Sequence, residues 1–147
     1  MKKSKKNNNQ IEAEESHYLY TSISQLPNSG NGLHTAIPIY KDEVIAIFRG
    51  EILTNLQAKI RAKNGNNQYF ISMVDGTIMD SLKVECFAKY ANDANGFTPN
   101  KNGFKNNAKI ALNEDHQVCI IASRNIKLGE EIFCSYGKRY WADFKIS

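Results

Sequence analysis

Cysteine, histidine and long apolar runs are all scarce in this chain, and each scarcity removes a class of protein. The three cysteines, Cys86, Cys119 and Cys134, lie far apart and form no Cys-x-x-Cys. Neither a disulfide framework nor a structural zinc site follows from them, and a reducing compartment inside the cell fits best. His17, His34 and His116 are scattered without metal-ligand spacing, so they read as structural or surface residues and no metal is expected. No apolar stretch approaches the length needed to cross a bilayer, which argues against a membrane protein. The opening Met1-Lys2-Lys3-Ser4-Lys5-Lys6 has no apolar segment behind it and does not read as a secretory signal. Internal repeats, heptads and βαβ alternation are missing too, which excludes solenoids, coiled coils and a Rossmann sheet.

What is present suits one compact domain. The chain has 147 residues, long enough to bury a core, and its 41% hydrophobic and 23% charged residues place it among globular proteins. Residues 1–16 read as a disordered basic and polar tail, 17–141 as the domain and 142–147 as a C-terminal tail. Lys2, Lys3, Lys5 and Lys6 fit a solvated tail better than a nuclear-import or nucleic-acid patch. They account for the whole net charge of +4, so the body is close to neutral and direct nucleic-acid binding is not expected.

The apolar pattern predicts many short strands. Tyr18-Leu19-Tyr20 with Ile23 leads into a loop from Pro27 to Leu33 that contains Gly30-Asn31-Gly32, and Val44-Ile45-Ala46-Ile47-Phe48 reads as a buried strand. Thr54 offers an N-cap to a brief amphipathic helix carrying Leu56 and Ile60 and ended by Gly65. Tyr69-Phe70-Ile71-Ser72-Met73-Val74 turns at Asp75-Gly76 into Thr77-Ile78-Met79-Asp80, the pattern of a tight hairpin. Val84, Phe87, Ala88 and Ala91 have helical spacing, which predicts a second helix over 83–90. Residues 92–106 are too polar for core and read as a long surface loop. Ala108-Lys109-Ile110-Ala111-Leu112, Val118-Cys119-Ile120-Ile121-Ala122 and Glu131-Ile132-Phe133 complete a mainly β fold with short helices, of the α+β class. Cys86 and Cys119, among apolar neighbours, read as buried small hydrophobes.

The chain's end carries its most informative motif, Gly129-Glu130-Glu131-Ile132-Phe133-Cys134-Ser135-Tyr136-Gly137. A strand running into Tyr-Gly puts a phenol on a sharp turn, where it either closes a β-rich core or faces a site. Gly30-Asn31-Gly32 alone means little more than a turn. The order of the motifs says more: Gly-x-Gly-Leu, Phe48-Arg49-Gly50-Glu51, Tyr69 with Ile71-Ser72 leading to Met79-Asp80, Ala88-Lys89-Tyr90-Ala91-Asn92-Asp93, and the Gly-Glu-Glu to Tyr-Gly segment. This succession resembles the SET domain family of protein lysine methyltransferases over about residues 18–141.

The resemblance implies a fold of several small sheets with a knot-like C-terminal threading that would bring Asn92 beside Tyr136. It implies S-adenosylmethionine as cofactor, held by Gly30, Asn31, Gly32, Asn92, Asp93, Tyr136 and Trp141. It implies a lysine channel lined by Phe48, Tyr69, Cys134 and Tyr136, with Tyr136 as the catalytic residue. Methyl transfer moves positive charge from sulfur to nitrogen, so the site must desolvate and orient a neutral amine, which a phenol and an aromatic tunnel can do. The partner implied is a protein or peptide containing the target lysine, with histone tails the most common. Three positions depart from the family: Asp93 stands for histidine, Phe48 for a tyrosine of many members, and Cys134 for the Phe or Tyr that tunes methylation state. The small Cys134 leaves room for di- or trimethylation. The zinc-binding flanking modules of many members have no counterpart here. Lys138-Arg139-Tyr140-Trp141 and Phe144 either lay rings over the site or pack as a terminal helix, and residues 96–106 are a substrate-facing loop or a mere insertion. Two other readings stay open: a catalytically silent SET-like module that binds a peptide, and a β-rich interaction protein without cofactor.

Overall fold

The structure, a computed structural model, describes residues 9–73, 75–95 and 103–135. Among them are ten short strands and one α-helix: β1 (Leu19–Ile23), β2 (Asn31–Thr35), β3 (Val44–Ile47), β4 (Glu51–Leu53), α1 (Asn55–Lys63), β5 (Phe70–Ser72), β6 (Ile78–Asp80), β7 (Ala108–Leu112), β8 (Val118–Ala122), β9 (Glu131–Ile132) and β10 (Cys134–Ser135). The mainly β class holds. Three sheets form, in the orders β1-β2-β9, β10-β7-β8-β3 and β4-β6-β5. All pairings are antiparallel except that of β10 with β7.

Burial explains the strand sequences. β8 lies between β7 and β3, and four of its five residues are buried, which accounts for its unbroken apolar run. Leu33, Ile39, Ile45, Ile120, Ile126 and Ile132 are the large aliphatic side chains shut off from solvent. They make one core between the first two sheets, and the Tyr18 hydroxyl ties those sheets by donating to the Ile45 carbonyl at 2.7 Å. The hairpin at Asp75-Gly76 forms as its turn chemistry dictates, with Ile71 opposite Met79.

Residues 131–135 are the seam of the molecule. β9 belongs to the first sheet and β10 to the second, so the chain changes sheets at Phe133. Within the stretch 1–16 assigned to a tail, residues 9–16 touch the body. The Val44 amide donates to the Asn9 carbonyl at 2.7 Å, and the Ile47 amide donates to the Glu15 carboxylate at 2.9 Å.

Two local expectations are corrected. α1 begins with the expected Thr54 cap, completed as a capping box with Gln57, and ends near Gly65 at φ 78°. Its apolar residues are not its buried face, however: Leu56 and Ile60 are exposed and only Ala58 is buried. The helix docks through charge, with Arg61 Nη1 donating to Glu51 at 2.9 Å and to the fully buried Asp80 at 2.8 Å. The helix expected over 83–90 is a single 3₁₀ turn, Ala88–Tyr90. Lys89 turns inward, and its ammonium takes the Ser81 and Val84 carbonyls at 3.1 and 3.2 Å, with Val84 thus bonded to a side chain in place of a helical amide.

Candidate functional site

The Gly-x-Gly segment is the start of β2 and closes the hairpin with β1, so the loop expected from Pro27 to Leu33 ends at Gly30. Gly30 adopts φ +63°, a left-handed conformation, and among the described residues nothing lies within 4 Å of where a Cβ would stand. Gly32 is different, because a Cβ there would come within 2.9 Å of the Glu131 carboxyl carbon and collide with its Oε2.

Asn92 joins this hairpin to the C-terminal strand. Its side-chain amide donates to the Asn31 carbonyl at 3.2 Å, and its own carbonyl accepts the Cys134 amide at 2.8 Å. A parallel bridge pairs Asn92 with Phe133. The segment reaches this position because Ala88 and Ala91, both buried, seat the 3₁₀ turn in the core. Residues far apart in sequence, Asn31 and Cys134, are therefore joined through Asn92. Asp93 turns to its own loop: Oδ1 accepts from the Asn95 amide and from Asn106 Nδ2, both at 2.9 Å. Asn106 Oδ1 in turn accepts the Ala94 amide at 2.8 Å. An aspartate at this position thus closes the loop that follows it, which explains locally why the side chain is short and anionic.

Phe48 and Tyr69 do come together. They line a small cavity with Gln68, Ile71, Ser81 and Lys89. The Lys89 ammonium stands 5.5 Å from the centre of the Tyr69 ring and 5.5 Å from that of Tyr90, and 3.1 Å from a Glu85 carboxylate oxygen. Burial pulls the Lys89 pKa down, but the hydrogen bond and charge of Glu85 outweigh it, and the net shift is upward. Lys89 is a residue that sequence reasoning passed over. Its only signal was a lone lysine between Ala88 and Tyr90 in an otherwise apolar stretch.

Cys134 is not among the residues lining the Phe48 and Tyr69 cavity. It is fully buried on β10, opposite Ala108 of β7. Burial first, and then the charge of Asp93, push its thiol far up, and burial pushes Cys119 up to about 11. Cys119 is fully buried, as expected, whereas Cys86 is only partly so. Iodoacetamide at mildly alkaline pH should therefore modify Cys86 alone in the native protein and all three cysteines after denaturation, as read by intact mass. Modification of native Cys119 or Cys134 at the rate of Cys86 would contradict this packing.

Tyr136 and Trp141 lie outside the described residues; the last described strand, β10, ends at Ser135. Among the described residues no group of three or more His, Cys, Asp or Glu side chains is placed to hold a metal, and no helix is long and apolar enough to cross a membrane. A separate cavity of about 620 Å³ lies between residues 10–21, β3 and residues 85–90, and none of the described site residues expected from sequence lines it.

Known proteins share this fold. The model of the SET domain matches residues 30–137, from the Gly-x-Gly to the Tyr-Gly. A Zea mays protein described as histone-lysine N-methyltransferase EZ1 is 29% identical over 119 residues, covering 78% of this chain and 12% of its own length. A solved structure of a humanized mutant of the Chaetomium thermophilum Polycomb Repressive Complex 2, bound to the inhibitor GSK343, superposes with a TM-score of 0.66. That match covers 81% of this chain and 15% of the other at 22% identity, so it speaks for the fold. The chain thus spans a small part of the length of these relatives.

Proposed function

The chain belongs to the SET domain family, and from that premise we propose that it transfers methyl groups from S-adenosylmethionine to the side-chain amine of a lysine in a protein. The observation that carries this reading is Asn92, whose two hydrogen bonds hold the Gly-x-Gly strand and the strand leading to Tyr136 against one another.

The residues present fit the cofactor. Gly30 leaves an open face on a turn, and Gly30, Asn31, Gly32, Asn92 and Asp93 would hold the molecule, with Tyr136 and Trp141 completing the site. When bound, S-adenosylmethionine supplies a methyl group carried on a positively charged sulfur. The protein's part is to present a neutral amine to it. Phe48 and Tyr69 give the aliphatic stem of the lysine an aromatic surface and so reduce the cost of removing it from water. Tyr136 orients the amine through its hydroxyl, and with Phe48 in place of a second phenol that orientation rests chiefly on Tyr136. Histones are the substrates proposed, on the strength of the maize relative's description. The three free thiols agree with work in a reducing compartment.

Calorimetric titration with S-adenosylmethionine tests the reading. The full chain should bind with one-to-one stoichiometry, and Asn92→Ala should weaken binding several-fold by releasing the Asn31 carbonyl from its hydrogen bond. Absence of binding by the unmutated chain would overturn it. A second reading, a SET-like module that binds a peptide without transferring methyl groups, is favoured by one observation: Cys134 is fully buried and does not line the Phe48 and Tyr69 cavity. Methyl transfer to any protein lysine separates the two.

A further inference from the structure

The Glu131 side chain has no exposure to solvent, yet no chemistry described above uses it. A buried carboxylate is costly unless its oxygens are bonded. Here both oxygens go to one segment of chain. Oε2 accepts from the Ser24 hydroxyl at 2.6 Å, and Oε1 accepts from the Gln25 amide at 2.8 Å. His34 Nε2 stands 3.9 Å from Oε1. The same Ser24 oxygen accepts the Leu26 amide at 3.1 Å, and the Ser24 amide donates to the Gly30 carbonyl at 2.8 Å. Ser24, Gln25, Leu26 and Gly30 all belong to the turn between β1 and β2 that delivers Gly30-Asn31-Gly32.

Gly32 completes the picture. Its missing Cβ is the space through which the Glu131 carboxylate passes, since a Cβ would come within 2.9 Å of Glu131 Cδ and 3.2 Å of Ser24 Cβ. Gly30 has open space on that side and Gly32 has protein. The two glycines of one motif therefore serve different needs.

We propose that Glu131 is the positioning residue of the Gly-x-Gly turn: reaching from β9, its carboxylate holds the 24–32 turn in the shape that receives the cofactor, and Gly32 is glycine to admit that carboxylate. The inference rests on the cofactor reading above and adds a role for a residue in the strand that runs on to Tyr136. Glu131 acts through the turn and touches no reacting atom.

A double-mutant cycle of Gly32→Ala and Glu131→Ala in the full chain tests this, read by S-adenosylmethionine titration and by urea unfolding of the ligand-free protein. Gly32→Ala should weaken cofactor binding about tenfold or more through its clash with Glu131. In the Glu131→Ala background the same glycine change should add less than about twofold, and the unfolding losses should likewise fail to add. Multiplying affinity losses with additive unfolding losses would overturn the proposal, because the need for glycine at position 32 would then be independent of Glu131. Two milder variants keep the question open to test if Glu131→Ala does not fold. Ser24→Ala should raise the KM for cofactor several-fold more than it lowers kcat. Glu131→Gln, which can still accept from Gln25 and donate to Ser24, should retain most of the affinity. Cofactor binding by Ser24→Ala equal to that of the unmutated chain would count against the clamp. If the unmutated chain itself does not bind S-adenosylmethionine, the cofactor reading fails, while the unfolding cycle still decides whether Glu131 and Gly32 are coupled.

Discussion

Asn107→Ala should lower the free energy of unfolding by about 3 kcal/mol, the largest stability loss expected from a single side chain near the site. Asn107 is fully buried at the point where the chain changes sheets. Its Nδ2 donates to the Glu131 carbonyl at 2.9 Å and its Oδ1 accepts the Phe133 amide at 2.9 Å, so one side chain satisfies two main-chain groups on either side of Ile132. Glu131 and Phe133 are themselves buried, and water cannot replace either bond. Truncation leaves one amide and one carbonyl unpaired, each costing roughly 1–3 kcal/mol, and leaves a cavity besides. Asn107→Asp keeps the acceptor but loses the donor and sets a carboxylate against the Glu131 carbonyl, so it should be nearly as damaging. Urea denaturation measures both. A loss under about 1 kcal/mol for Asn107→Ala would show that the seam is held elsewhere.

Tyr136→Phe should cut methyl transfer about a hundredfold or more while leaving S-adenosylmethionine affinity nearly unchanged, in line with the loss of one oriented polar group from a transition state. The substitution removes only a hydroxyl and keeps the ring. The strand that precedes Tyr136 in sequence is tied down: Cys134 and Ser135 pair with Ala108 and Lys109, Asn92 accepts the Cys134 amide and Asn107 accepts that of Phe133. Proximity catalysis asks for an oriented phenol at the position that follows. Single-turnover transfer of a labelled methyl group isolates the chemical step. Full activity in the variant would remove Tyr136 from the mechanism.

Features written in neighbouring residues were legible in sequence, and features that depend on distant partners were not. The Asp75-Gly76 hairpin, the Thr54 cap and the apolar runs of β3, β7 and β8 follow from local turn chemistry and β-branched composition. The helical spacing of Val84, Phe87 and Ala88 misled because Lys89 takes the carbonyls of Ser81 and Val84. Leu56 and Ile60 misled because α1 is anchored by Arg61 to Glu51 and Asp80, and no periodicity encodes that ion-pair triangle.

The site divides the same way. The motif order pointed to Gly30, Asn31 and Asn92, and the fold brings them together. It also pointed to Phe48 and Tyr69, which share a cavity. The face on which Cys134 falls is set by a parallel pairing with β7, which no local pattern announces. Glu131 and Asn107 were invisible as functional residues because their partners, Ser24 and Gln25 for one and the two main-chain groups beside Ile132 for the other, lie far away along the chain. Glu131 opens the two-residue strand β9 beside another glutamate, Glu130, so nothing local distinguishes it.

Mass spectrometry of histones and histone-derived peptides incubated with the full chain and S-adenosylmethionine tests the central claim most directly. Methyl groups are expected on lysine side chains, should require both protein and cofactor, and should fall sharply with Tyr136→Phe. Cofactor binding without any methylated lysine, across histones and a broad set of other proteins, would contradict it and leave a SET-fold module that binds and does not transfer.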